Sequence, residues 1–163
     1  MATRPSLDET MMAIAQVLSR RATCVKRQVG CVLVNDYGHI LSTGYNGVPA
    51  GFPHCIDASC PGAESKAGSD TCMGVHAEIN ALIRCKEHNN IAVCYTTILP
   101  CTPCMKALMN TGCHTIVYGQ SHDMEHYVRD MWFRTGRTIR QLAPPILTES
   151  GIADIRTRPF IVE

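Results

Sequence analysis

The stretch IAVCYTTILPCTPCMKALMNTGCHTIVYG, residues 91–119, decides how this chain folds. It opens on a run rich in β-branched and aromatic residues, 91–98, suited to a strand, and closes on a second such run, HTIVYG at 114–119. Between them Pro100 marks the start of a helix, apolar residues recur at helical spacing, and Gly112 is the expected C-cap. Strand, helix and strand in succession argue for an α/β layered domain. The same stretch carries chemistry, because Cys101 and Cys104 form a C-x-x-C at the predicted helix start.

The flanking segments extend the alternation. GVHAEINALIRC, 74–85, introduces a helix predicted from His76 to about His88. A helix containing YVRDMWFRTG and a strand at RTIRQLA follow on the C-terminal side. Near the N-terminus, Ser6 and Glu9 have capping-box spacing ahead of a helical pattern, LDETMMAIAQVLSRRA. VGCVLVN and ILSTGY, joined through DYGH, predict a β-hairpin. Between GYNG at 44–47 and Gly74 lies a loop rich in glycine, proline, serine and cysteine, and its length points to a function or a metal clip. Residues 1–143 read as one domain and 144–163 as a C-terminal extension of unassigned role; there is no internal repeat.

With 163 residues, 45% hydrophobic and 18% charged, the chain has the length and apolar content for one domain with a sizeable core. A formal net charge of +1 gives no electrostatic reason to expect a nucleic-acid polymer or an anionic membrane as partner. No apolar run approaches the roughly 20 residues needed to span a bilayer, and MATRPSLDET lacks a secretory pattern, so a cytoplasmic protein is expected. Ten cysteines then point to metal sites or buried thiols rather than disulfides. Cys31, Cys85, Cys94 and Cys113 lie in apolar periodic segments and read as core thiols.

Histidine with two cysteines is an accepted donor set for a zinc that keeps one position open, and His76, Cys101 and Cys104 supply it. Cys101 and Cys104 stand at i and i+3, so their sulfurs can face one way, and a helix N-terminus favours thiolates. The two helix starts, following adjacent strands, are expected to converge at one edge of the sheet. Glu78 then fits a base beside the metal rather than a ligand to it. HAE at 76–78 with PCTPC at 100–104 matches the H-x-E and P-C-x-x-C signature of zinc-dependent base deaminases. Read without the metal, Glu78 is a first-turn carboxylate and His76 a capping residue. A zinc clip closed by a fourth ligand is the structural alternative.

TCVKRQVGCVLV, STGYNGVPAG, the His54–Cys55 pair, VHAEINALI and PCTPC together resemble the cytidine and deoxycytidylate deaminase superfamily, and within it the dCMP deaminases of bacteria and phages. The resemblance runs from about Leu7 to about Leu142. It implies a three-layer α/β/α sandwich around a five-stranded mixed sheet, hydrolysis of dCMP to dUMP and ammonia feeding dTMP synthesis, and a homohexamer. Glu78 would carry protons from water to the base and to the departing amine. The backbone N–H of Ala77 would hold the base O2 and Asn46 the sugar hydroxyl, although Asn46 also suits a turn with a left-handed backbone. Lys26 and Arg27 would lie near the phosphate, or else form an ordinary solvated pair.

The resemblance further implies regulation, with dCTP activating and dTTP inhibiting through Gly44, Asn46 and Gly47, and magnesium accompanying the triphosphate. It also raises the case for a second, structural zinc on Cys24, Cys55, Cys60 and Cys72, with His54 as a substitute ligand; scattered reduced thiols are the alternative. A 5-substituted dCMP or another nucleobase remains open as substrate. A zinc-stabilised binding module without turnover is the reading from a different class, and Glu78 argues against it.

Overall fold

The computed structural model describes residues 4–65 and 71–142; the extension expected at 144–163 lies outside the described residues. In chain order the elements are α1 (Leu7–Ser19), β1 (Gly30–Val34), β2 (Ile40–Tyr45), α2 (Ala77–Arg84), a 3-10 turn (His88–Asn90), β3 (Val93–Ile98), α3 (Thr102–Met109), β4 (Thr115–Gln120), α4 (Glu125–Phe133) and β5 (Thr138–Gln141). The capping box forms as expected: Glu9 N–H donates to Ser6 Oγ at 3.2 Å, and Ser6 N–H donates to Glu9 Oε2 at 2.7 Å.

Every residue of β1 is buried, so the strand needs cover on both faces. Val32 and Val34 point to one side, where Met11, Met12 and Ala15 of α1 pack with Tyr95 and Val117. Cys31 and Leu33 point to the other, joining Cys94, Ile116 and Tyr118 beneath α2, α3 and α4. The five strands run in the order β2-β1-β3-β4-β5. β1 is antiparallel to β2 and to β3, whereas β3–β4 and β4–β5 are parallel. This is the three-layer sandwich with a five-stranded mixed sheet that the family resemblance implies. Cys31, Cys85, Cys94 and Cys113 are all buried, as expected of core thiols.

Four expectations need correction. The strands preceding α2 and α3, β2 and β3, are not adjacent, because β1 lies between them. α2 reaches the shared edge by packing back across β2 and β1. The helix also ends at Arg84 rather than near His88: Cys85 is extended, at φ −75° and ψ 129°, and turns the chain toward the core. Asn89 and Asn90, weak helix formers, make the 3-10 turn that delivers buried Ile91 and Ala92. Gly112 is not the cap of α3, which is Asn110. Instead a Cβ on Gly112 would stand 2.1 Å from the Asn89 carbonyl oxygen, so close backbone approach is what requires glycine there.

The fourth correction concerns Asn46, for among the described residues no non-glycine backbone is left-handed. Its side chain does a different job. Oδ1 accepts from Val29 N–H at 2.7 Å and Nδ2 donates to the Arg27 carbonyl at 2.8 Å, tying the end of β2 to the segment before β1. Leaving either buried group unpaired would cost about 1–3 kcal/mol, which favours this one geometry.

Candidate active site

His76 is the N-cap of α2 and Cys101 the N-cap of α3, and neither uses its side chain for a capping hydrogen bond. Both side chains turn instead toward each other. His76 Nδ1 lies 3.2 Å from Cys101 Sγ and 3.4 Å from Cys104 Sγ. The three donor atoms fall within 4.8 Å of one another, and among the described residues no other group of three or more metal-capable side chains does so. A tetrahedral zinc, with Zn–S near 2.3 Å and Zn–N near 2.05 Å, separates sulfur from nitrogen by about 3.6 Å. Soft thiolates with an imidazole nitrogen at this spacing fit zinc.

The local chemistry prepares the thiols. Cys101 is held down to about 4, first by the hydrogen bond from the Cys104 thiol and further by His76. The same bond and burial push Cys104 up, and the bond to Cys101 raises His76. One thiolate is thus available at neutral pH, at the start of a helix that favours negative charge.

Glu78 stands in the first turn of α2 and is only 4% exposed. Burial raises its pKa, and its carboxyl remains outside the three-donor group. The position of α2 is fixed by side chains that anticipated none of this from sequence. Ser42 Oγ donates to the Ala81 carbonyl at 2.7 Å, and Asn80 Nδ2 donates to the Tyr45 carbonyl at 2.8 Å. The start of α3 is fixed by Leu99 N–H on the Gln120 carbonyl at 2.8 Å. Thr96, fully buried on β3, places Oγ1 3.4 Å from Glu78 Oε1. The alternation of β3 is its sequence signal, since it puts residues 94 and 96 on one face of the strand.

The other expected residues fall as follows. Ala77 is buried at the first position of α2, where a backbone N–H has no partner within its own helix. Lys26 Nζ donates to the carbonyls of Gly62 and Ser65, binding the long loop, whereas Arg27 is exposed. Gly44 and Gly47 are buried at tight contacts: a Cβ would meet Ala77 O at 2.2 Å from the first and Thr23 Oγ1 at 2.7 Å from the second. Cys55 is buried, and its thiol pKa is lowered first by the backbone of Cys60, then by the backbone of Val25. Cys72 passes beside Gly62, with its Cα 2.4 Å from where a Gly62 Cβ would stand. The structure therefore draws Cys55, Cys60 and Cys72 into one region without bringing three of the four thiols to ligand spacing. His54 is exposed.

Fold and site together define an α/β/α protein with a His–Cys–Cys zinc centre and a buried carboxyl group beside it. The chain belongs to the cytidine and deoxycytidylate deaminases, since residues 5–120 match the zinc-binding region of that family. It is 36% identical to the deoxycytidylate deaminase of Mycobacterium phage D29, over 71% of this chain and 95% of that protein. It is 35% identical to the enzyme of the same name from Schizosaccharomyces pombe over 87% of this chain, but spans only 46% of that protein. The chain thus covers about half the length of its fungal relatives. A crystal structure of cyanophage S-TIM5 dCMP deaminase with dCMP and dUMP superimposes with a TM-score of 0.67 at 25% identity, covering 86% of this chain and 99% of that one. Among the described residues, no helix is long and apolar enough to cross a membrane.

Proposed function

We infer that this chain hydrolyses dCMP to dUMP and ammonia. The observation that carries the reading is the buried Glu78 carboxyl set beside, and not among, three donors suited to zinc. A binding module would have no use for that carboxyl. The likeness to the phage protein solved with dCMP and dUMP supports a nucleotide substrate.

Zinc held by His76, Cys101 and Cys104 would supply the Lewis acidity that makes water a nucleophile at neutral pH. Glu78 does the proton work: it takes a proton from the attacking water, delivers one to N3 so that C4 becomes electrophilic, and then helps protonate the departing amine. Burial suits it to this double role, because raised proton affinity makes the carboxylate a better acceptor of the water proton. The orphan N–H of Ala77 is available to the base O2. Arg27 is the better phosphate ligand of the two basic residues, since Lys26 already serves two loop carbonyls and Asn46 holds the Arg27 backbone in place. Asn46 has lone-pair and N–H capacity left for a sugar hydroxyl.

Three finer parts of the reading rest mainly on family resemblance: a second zinc on Cys24, Cys55, Cys60 and Cys72; dCTP and dTTP as effectors, with magnesium, near Gly44, Asn46 and Gly47; and assembly as a homohexamer. The clustering of Cys55 with Cys60 adds support to the first. The experiment is a screen of cytosine nucleosides, their mono- and triphosphates, and 5-methyl analogues for ammonia release. The reading expects dCMP well ahead of deoxycytidine, and Arg27→Ala narrowing that preference; faster turnover of the unphosphorylated nucleoside would overturn the assignment.

A further inference from the structure

Residues 96 and 97 are both threonines on β3, and the strand sends them to opposite faces. Thr97 Oγ1 accepts from Gly30 N–H at 3.2 Å and so ties β3 to β1. Thr96 pairs in register with Cys31 on one side and Tyr118 on the other, on the face covered by α2 and α3. It is fully buried, and its hydroxyl lies 2.9 Å from the Ile98 carbonyl and 3.4 Å from Glu78 Oε1.

Packing alone would not call for a hydroxyl at this position. A β-branched apolar residue fills the same space on a strand, and a buried hydroxyl is unfavourable unless paired. The Thr96 hydroxyl has one proton and two lone pairs. It can donate to the Ile98 carbonyl while accepting from a protonated Glu78 carboxyl, or turn its proton onto the carboxylate. In either state Oγ1 bears on the carboxyl from the sheet side.

We propose that Thr96 is a positioning residue for the deamination, holding the Glu78 carboxyl in the orientation it uses for proton transfer. The inference rests on the reading of Glu78 as proton carrier. Catalytic contacts of this kind are often long before substrate binds, so the 3.4 Å separation suits a contact that tightens in the complex. A carboxyl misplaced by about 1 Å costs on the order of 10²-fold in rate, so loss of the hydroxyl acts on kcat.

The test uses Thr96→Val and Thr96→Ser in the full chain, measuring kcat and KM for dCMP, zinc content and thermal midpoint. The expected result is a kcat reduced at least ~10-fold in the valine variant, with KM within about twofold and catalytic zinc retained, and a serine variant within about threefold of wild type. A valine variant with wild-type kcat overturns the proposal. So does loss of zinc with the activity, which would mean that the hydroxyl acts through Ile98 on the segment leading to Cys101, and so does a serine variant as impaired as valine, which would mean that the methyl group is what matters. Absence of turnover in the wild-type protein would be a different failure, that of the deaminase reading itself.

Discussion

Gly44 on β2 lies so close to the first turn of α2 that a Cβ on it would stand 2.2 Å from the Ala77 carbonyl oxygen and 2.5 Å from Ala81 N. Both are backbone atoms, so neither can swing aside. This contact sets how far α2 stands from the sheet, and with it the positions of His76 and Glu78. Gly44→Ala is therefore expected to lower stability by about 1–3 kcal/mol, the usual cost of overpacking, and to reduce zinc retention. Thermal denaturation and metal analysis check it; an alanine variant with unchanged midpoint and zinc would show that α2 can move without consequence.

Glu125 predicts a pH dependence at the start of α4. Hydrogen bonds from Ser121, Tyr118 and Arg129 hold its pKa at about 2, against an ordinary 4.5. Because the folded value is depressed, the stabilisation is present above about 4.5 and disappears as pH falls through about 2. Wild type should be more stable than Glu125→Gln at neutral pH, with the difference in thermal midpoint closing between those values. A difference that stays constant across that range would mean that the carboxylate charge contributes nothing.

For the second metal, carefully purified protein is expected to hold two zinc ions per chain, and Cys60→Ser to reduce that to near one without loss of the catalytic ion. The Cys55–Cys60 contact is the starting point for this expectation. A wild-type content of one zinc would reject the second site whatever the activity.

Much of the fold is legible in local patterns. The β-branched and aromatic run at 91–98, the capping box at Ser6 and Glu9, and the C-x-x-C spacing are each set by neighbours a few residues apart, and each yields the element read from it, the strand spanning Val93–Ile98. What local pattern cannot carry is sheet order: β1 inserts between β2 and β3 through pairings such as Cys31 with Thr96, far away in sequence. The turn alternative for Asn46 fails for the same reason, since its amide answers backbone groups at Arg27 and Val29. Thr96 is not legible in the sequence because one threonine on a strand carries no motif; only the arrival of α2 over its face makes its hydroxyl a neighbour of Glu78.

Whether Glu78 moves the protons of a zinc-dependent deamination is decided by the rate of dUMP and ammonia formation from dCMP, compared between wild type and Glu78→Gln at equal zinc content. Wild type is expected to form dUMP and ammonia in equal amounts, and the variant to lose ~10²–10⁴-fold or more in rate while keeping its fold and its zinc. A Glu78→Gln protein that turns over dCMP at near wild-type rate, or a zinc-loaded wild type that releases no ammonia, would contradict it.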